Sequence, residues 1–97
     1  PRKVVDAIKA GAAQCWTLDV KPPRLFAGNR APGFKARMQF KDLKIILETA
    51  RQYDIPVSAT EANAQLFQQM MEQGMGDLDN SAVVGVIEKL AGVKILD

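Results

Sequence analysis

Residues 36–53, ARMQFKDLKIILETARQY, carry the strongest structural signal in the sequence. Apolar side chains recur here at intervals of three and four, which is the spacing of one face of an amphipathic helix, and Ile46 widens the apolar stripe. The recurring positions are Phe40, Leu43, Leu47 and Ala50. Asp54, Ile55 and Pro56 end the pattern. The sequence therefore predicts one long helix over this stretch.

Shorter helical patterns precede the long helix. Apolar spacing predicts a first helix that begins near Val4 and ends near Gly11. A second short helix, AAQCWTLDV at residues 12–20, is expected to stop at Lys21-Pro22-Pro23, and PPRLFAG at residues 22–28 could form one more turn before Gly28 ends it. Residues 28–33, GNRAPG, read as a loop.

Two further helices are expected after the long one. SATE at residues 58–61 has the form of a capping box, in which Ser58 and Glu61 exchange hydrogen bonds with each other's backbone. The helix that follows is expected to end at Gly74. Asp79 or Asn80 would cap a last helix, which Gly92 closes, whereas the tail VKILD at residues 93–97 is too short to assign.

The patterns together predict an all-α single domain of five or six helices around one core. No stretch alternates apolar and polar residues over the length of a strand. Because the two longest predicted helices are joined by a short link, we expect them to lie side by side and antiparallel.

Composition excludes several kinds of chemistry. The 97 residues contain no histidine and one cysteine, Cys15, so the usual zinc-ligand spacings and an internal disulfide are both excluded, and no metal site is expected. The sequence has neither a dinucleotide-binding glycine fingerprint nor a phosphate-binding glycine loop. It also shows no signal peptide and no apolar run long enough to span a membrane, which favours a cytoplasmic protein without membrane contact.

Charge is distributed unevenly along the chain. Residues 1–51 hold 11 Lys and Arg against 4 acids, a balance of +7, and residues 52–97 hold 2 against 7, a balance of −5. Lys35, Arg37 and Lys41 lie around the start of the long helix, where acids are normally favoured, and Asp42 is the one acid nearby. Two interpretations are open: these cations form a basic face exposed to solvent, or they bind an anionic partner.

Several side chains are expected to have structural roles. Trp16 and Cys15 read as core or packing residues. Gly85, inside the last predicted helix, suggests a close approach of two helices. Three methionines on the predicted fourth helix and just beyond it are expected to fill the core: Met70, Met71 and Met75.

The order of short motifs along the chain resembles the C-terminal domain of the β-hydroxyacid dehydrogenases. The motifs are GAAQCW at residues 11–16, PGF at 32–34, KDL at 41–43, and GMGDLD at 74–79 followed by SA at 81–82. The resemblance covers essentially the whole chain. The family includes 3-hydroxyisobutyrate dehydrogenase and 2-hydroxy-3-oxopropionate (tartronate semialdehyde) reductase. Its C-terminal domains are helical, like those of 6-phosphogluconate dehydrogenase-like enzymes.

The resemblance implies that residues 1–97 form a C-terminal helical substrate and dimerisation domain. An N-terminal Rossmann domain that binds NAD or NADP, and a connecting helix with the essential lysine, would lie outside this sequence, which also lacks an initiating Met. Within the chain, the resemblance implies that Lys41 contacts the cofactor, that Phe34 forms a wall of the substrate site, and that Asp42 supports the catalytic lysine.

The implied reaction is reversible hydride transfer between nicotinamide and a small 3-hydroxy acid or its semialdehyde. The first expectation for the substrate is 2-hydroxy-3-oxopropionate, with 3-hydroxyisobutyrate, succinic semialdehyde and glyoxylate as alternatives. The isolated fragment should be inactive. Expected partners are its own Rossmann domain, the carboxylate substrate and a second copy of the chain, without nucleic acid. Two other classes stay open: a basic helical module that binds nucleic acid, and a pure assembly domain.

Overall fold

The computed structural model describes residues 1–95, and its secondary structure there is helical. Residues 96–97, at the end of the unassigned tail, lie outside the described part. The helices are α1 (Arg2–Ile8), α2 (Trp16–Phe26), α3 (Ala36–Gln52), α4 (Ser58–Glu72) and α5 (Val84–Ala91), with a 3-10 segment at Asn80–Val83 directly before α5. An isolated antiparallel bridge joins Lys35 and Asp79. The predicted all-α class with five or six helices is confirmed.

The core lies between α3 and α4, which pack against each other along their lengths, and the 3-10 segment and α5 close it. Met70 is fully buried at its centre. The other buried members of this cluster are Ala36, Leu43, Ala64, Phe67, Ala82 and Val86. Leu43 of the predicted apolar stripe of α3 belongs to this cluster and Phe40 and Leu47 pack against it, as do Met71 and Met75. Ile46, which was expected to widen the stripe, is instead 47% exposed. Alanines at the contact allow the helix backbones to approach closely.

Residues in the left-handed region end four of the helices. Gly28 after α2, Gly74 after α4 and Gly92 after α5 have φ values of 71°, 72° and 66°, and Asp54 takes the same role after α3 with φ of 53°. In each case the next residue donates its N–H to a carbonyl five residues earlier, as Met75 does to Met70 at 3.0 Å. This is the hydrogen bond of the Schellman motif. The predicted ends of these helices are confirmed.

The expectation that Lys21-Pro22-Pro23 stops a helix is wrong. Helix α2 runs without interruption from Trp16 to Phe26 and contains both prolines. The φ angle that the proline ring imposes is compatible with a helix, so the cost is two missing N–H donors and local crowding. Lys21, directly before the two prolines, contacts a distant part of the chain, as described below.

The capping box also fails to form. Ser58 is already the first residue of α4, Val57 takes the N-cap position, and no side chain caps this end. The expected cap further along is confirmed, because the carboxylate of Asp79 accepts from the N–H of Ser81 at the start of the 3-10 segment.

Three expectations about packing are overturned. Trp16 is 68% exposed and Cys15 is exposed as well, because the start of α2 extends beyond the core between α3 and α4. Gly85 makes no close helix contact: a Cβ built there would find its nearest neighbour, the sulfur of Met75, at 4.0 Å. It borders an open cavity of about 400 Å³ between the end of α4 and α5, which removes the need for a small residue.

A buried ion pair joins the N-terminal helices to the rest of the chain. Among the helical elements described, α1 contacts α2 alone, and α2 otherwise contacts the 3-10 segment. The ammonium of Lys21 on α2 lies 2.8 and 2.9 Å from the two carboxylate oxygens of Asp79. Lys21 is 7% exposed and Asp79 is 1% exposed. The same carboxylate accepts from the N–H groups of Gly33 and Phe34 and from the hydroxyl of Ser81.

This arrangement keeps Asp79 ionised. Burial by itself would raise the pKa of the Asp79 carboxyl, but the hydrogen bonds from Lys21, Ser81, Gly33 and Phe34 together hold that pKa well below its ordinary value. A buried carboxylate is tolerated when its lone pairs are matched by donors, and here they are.

We expect Met70→Ala to lower the free energy of unfolding by about 2–5 kcal/mol, since it removes a fully buried side chain and leaves a cavity. Urea unfolding followed by circular dichroism measures this. Met38→Ala is the matched control, because Met38 is exposed on α3 and its truncation leaves no cavity. Equal effects of the two substitutions would contradict the assignment of the core.

We expect Asp79→Asn to lower the free energy of unfolding at pH 7 by about 3–5 kcal/mol, because Lys21 is left buried without its counter-charge. The Asp79 pKa is depressed in the folded state, so its contribution is present above the unfolded pKa of about 4 and is lost as pH falls towards the folded pKa. The variant should therefore lose less stability than the parent below pH 4 in urea titrations. Glu48→Gln, at an exposed acid of α3 without an ion pair in residues 1–95, is the control, and equal pH profiles for parent and Asp79→Asn would contradict the interpretation.

Candidate functional site

Helix α3 begins on a short segment of antiparallel backbone contact. The N–H groups of Ala36 and Arg37 donate to the carbonyls of Leu78 and Gly76 at 2.9 and 3.0 Å, and the N–H of Asn80 donates to the carbonyl of Phe34 at 2.8 Å. Two of the free donors of the first turn are thus satisfied by residues 76–78 of another part of the chain. This explains why α3 has no side-chain cap.

The acid missing from the start of α3 is supplied by Asp77. The ammonium of Lys35 lies 2.9 Å from its carboxylate, and the guanidinium of Arg37 contacts the same group. The hydrogen bond from Lys35, and then the charge of Arg37, hold the pKa of Asp77 below its usual range. Two of the cations that seemed to require an outside anion therefore already have one within the chain.

The other cations of residues 21–44 also have partners. Lys21 pairs with Asp79, and Lys41 pairs with Asp42. Two arginines donate to backbone carbonyls, Arg24 to Ala31 at 2.6 Å and Arg30 to Leu25 at 3.0 Å. The ammonium of Lys44 lies 4.9 Å from the ring centre of Phe40. Asp77 and Asp79 of the second half thus neutralise part of this basic stretch, whereas Lys41 and Lys44 remain exposed.

Lys41 and Asp42 lie together on the exposed side of α3. The ammonium of Lys41 is 2.9 Å from a carboxylate oxygen of Asp42, and each side chain keeps about half of its surface exposed. Within residues 1–95, Lys41 and Asp42 are therefore each other's ion-pair partner. A surface ion pair of this kind contributes little free energy, so either group can change partners at small cost.

Three exposed apolar side chains lie one turn from Asp42 along α3. Met38 lies one turn before it on the helix, and Ile45 and Ile46 lie one turn after it, with exposed fractions between 41% and 54%. We call these four residues the Asp42 face. An apolar surface that encloses a single acid is unusual on a solvated helix and is typical of a surface that another segment covers.

Phe34 lies just before α3 and is 40% exposed. Its N–H donates to Asp79 at 3.2 Å, and the preceding Gly33 N–H donates to the same oxygen at 2.8 Å. Of the three residues proposed from sequence, Lys41 and Asp42 form an ion pair with each other, whereas the backbone of Phe34 is hydrogen-bonded to Asp79.

These residues form an open surface. An open groove of about 650 Å³ lies elsewhere, between α3 and α4, and Phe40, Lys44 and Gln68 are among the residues that line it. Neither Phe34 nor Lys41 nor Asp42 contributes to that groove.

Sequence reasoning missed Lys21, Gly33 and the second role of Asp79. One signal was available: Lys21 lies three residues after Leu18 and four before Leu25, so this cation occupies the apolar side of α2. A cation in that position predicts a buried partner. Which acid it meets could not be read from the chain, because Lys21 and Asp79 are 58 residues apart.

Residues 1–95 contain no cluster of three or more His, Cys, Asp or Glu side chains that could hold a metal ion. None of their helices is long and apolar enough to cross a membrane.

Comparison with known proteins identifies relatives over nearly the whole chain. Residues 1–87 match the family model described as NAD-binding of NADP-dependent 3-hydroxyisobutyrate dehydrogenase. The chain is 28% identical over 96 residues to 2-(hydroxymethyl)glutarate dehydrogenase of Eubacterium barkeri and 30% identical over 95 residues to 2-hydroxy-3-oxopropionate reductase of Escherichia coli K12. Both alignments cover 98% of this chain and 32% of the relative, so the chain spans about a third of the length of these relatives.

Solved structures show the same fold. The 3-hydroxyisobutyrate dehydrogenase of Salmonella typhimurium superposes with a TM-score of 0.81 at 21% identity, over 88% of this chain and 30% of that one. An imine reductase from a Pseudomonas species gives a TM-score of 0.64 at 18% identity, over 89% of this chain and 27% of that one. Because the family model covers residues 1–87 of 97, the chain belongs to the NAD-binding family of the NADP-dependent 3-hydroxyisobutyrate dehydrogenases, among the β-hydroxyacid dehydrogenases.

Proposed function

We propose that residues 1–97 are the C-terminal helical substrate and dimerisation domain of an NAD(P)-dependent β-hydroxyacid dehydrogenase. The observation that carries this proposal is the family match over residues 1–87. The full-length protein would place an N-terminal Rossmann domain and a connecting helix with the essential lysine against this domain. Its reaction would be reversible hydride transfer between nicotinamide and a small 3-hydroxy acid or its semialdehyde, and the fragment alone would be inactive.

Our first choice of substrate is 2-hydroxy-3-oxopropionate. A relative that is 30% identical, the Escherichia coli reductase of that compound, supports this choice, and 3-hydroxyisobutyrate, succinic semialdehyde and glyoxylate are the alternatives. Assays of the full-length protein with NADH and NADPH against 2-hydroxy-3-oxopropionate, succinic semialdehyde and glyoxylate, and with NAD and NADP against 3-hydroxyisobutyrate, would test it. A clear preference for another member of the panel would replace the substrate and keep the reaction class.

Lys41 is the residue that we propose to contact the cofactor. Its ammonium is exposed and held by Asp42 alone among the contacts of residues 1–95, so it can exchange this partner for a phosphate or carboxylate oxygen. This fits one contact at the edge of a dinucleotide that the rest of the protein binds. The cofactor supplies the hydride, and the protein positions the reacting groups.

Asp42 is proposed to orient the essential lysine. The Asp42 face is apolar on both sides of the carboxylate, so a helix that covers it would exclude water and strengthen the attraction between Asp42 and an incoming ammonium. Lys41 would then be released towards the cofactor. Phe34, half-exposed at the entry to α3, is proposed as a wall of the substrate site.

A homo-oligomer and a cytoplasmic location are part of the same proposal. The exposed apolar residues outside α3, such as Trp16 and Leu90, offer surfaces for further domains or subunits. The alternative of a basic module for nucleic acid has little support, because the cations of residues 21–44 already have partners in the fold.

We expect Lys41→Ala in the full-length enzyme to raise the KM for NAD(P)H by about tenfold, the loss of roughly 1.4 kcal/mol from one charge-assisted contact, with a smaller change in the KM for substrate. Lys44→Ala on the next turn of α3 is the matched control and should leave cofactor affinity unchanged. Steady-state kinetics at fixed ionic strength measure both values. Unchanged cofactor affinity in Lys41→Ala would remove this residue from the site.

We expect Asp42→Asn to lower kcat by tenfold or more while the fold is kept, because the amide has the same size but cannot attract the essential lysine. Glu48→Gln is the control: it is an exposed acid on the same helix that lies outside the Asp42 face. Circular dichroism checks the fold of both variants. If the two substitutions had equal kinetic effects, the proposed role of Asp42 would be withdrawn.

A further inference from the structure

One acid, Asp79, makes three hydrogen bonds with the backbone of residues 30–34. Asp79 accepts from the N–H groups of Gly33 and Phe34, and its own N–H donates to the carbonyl of Arg30 at 3.0 Å. Both ends of the loop are therefore fixed to a residue that is itself fixed by Lys21. The backbone of Phe34 consequently cannot move without breaking hydrogen bonds to a buried carboxylate.

Gly33 lies directly against this ion pair. A Cβ built on Gly33 would approach an Nη atom of Arg24 at 2.9 Å, a carboxylate oxygen of Asp79 at 3.5 Å and the ammonium of Lys21 at 3.8 Å. The guanidinium of Arg24 is already engaged by the carbonyl of Ala31 in the same loop. A side chain at position 33 would therefore displace the guanidinium of Arg24 and, with it, the hydrogen bond that Arg24 donates to the loop.

The start of α3 is anchored separately. Its first N–H groups donate to the carbonyls of Gly76 and Leu78, and its flanking cations pair with Asp77. The loop that carries Phe34 and the helix that carries Lys41 thus depend on different contacts of the same segment, residues 76–80.

We propose that Lys21 and Asp79 are positioning residues for substrate: they fix the backbone of Phe34 and thereby the wall of the substrate site. This inference rests on the proposed function, in which Phe34 faces substrate and Lys41 faces cofactor. Because the two anchors are separate, disturbing the Asp79 anchor should weaken binding of substrate and leave binding of cofactor largely unchanged. A merely structural ion pair would not make that distinction.

The test is steady-state kinetics of the full-length enzyme with Asp79→Asn and Gly33→Ala, using the semialdehyde that the parent enzyme reduces best. Gly33→Ala is included because Asp79→Asn could fail to fold, whereas Gly33→Ala keeps the ion pair. Gly11→Ala is the matched control, since a Cβ there meets nothing closer than the carbonyl of Ile8 at 3.6 Å. Phe34→Ala provides the reference for a lost wall.

We expect a rise of about tenfold in the KM for the semialdehyde in Gly33→Ala and in folded Asp79→Asn, similar to Phe34→Ala, with the KM for NAD(P)H within about twofold of the parent. Gly11→Ala should match the parent. An unchanged substrate KM in Gly33→Ala, or an equal rise in both KM values, would overturn the inference while leaving the proposed function intact. A parent enzyme that reduces none of the semialdehydes would overturn the proposed function, and this inference with it.

Discussion

The buried ion pair between Lys21 and Asp79 is the interaction on which the arrangement of this chain depends. Within residues 1–95, helix α1 contacts α2 alone among the helical elements. Helix α2 in turn contacts the 3-10 segment that Asp79 caps. An ion pair withdrawn from water is favourable only when other donors satisfy its remaining lone pairs. Three backbone N–H groups and a hydroxyl do so here. One carboxylate therefore connects α2, the loop before α3 and the start of the 3-10 segment.

The same segment resolves the unusual charge at the start of α3. A helix that begins among cations contradicts the preference set by the helix dipole. In the folded chain, Asp77 provides the negative charge, and the carbonyls of Gly76 and Leu78 accept the free N–H groups. Tertiary contacts thus supply the negative charge that the start of a helix favours. Lys41 differs from Lys35 and Arg37 because its partner, Asp42, is the next residue in the sequence.

The exposed apolar side chains are typical of a surface that packs against another domain or subunit. Trp16 and the Asp42 face are more exposed than such side chains usually are in an isolated globular protein. The relatives are about three times as long as this chain, and our proposal assigns the Asp42 face to a contact with another part of such a protein. Under that proposal, the ionised side chains and the apolar surface of α3 serve one purpose, which is to hold a lysine and a cofactor in a site from which water is excluded.

Local sequence pattern by itself determined the helices and most of their ends. The three-and-four spacing of residues 36–53 places α3, and Gly28, Asp54 and Gly74 end their helices because a left-handed residue or a following proline stops the hydrogen-bond ladder. The order of motifs also identified the family, and with it the residues proposed for the site. These are properties of short segments, so a single sequence contains them in full.

Tertiary structure alone decided which distant residues meet. Helix α2 continues through two prolines, Trp16 and Cys15 stay exposed, and Lys41 pairs with Asp42 rather than with a distant group. The pairing of Lys21 with Asp79 links residues 58 positions apart, and no local rule fixes such a pair. The physical reason is that periodicity and capping act within a few residues, whereas burial and the matching of buried charges depend on how whole helices pack.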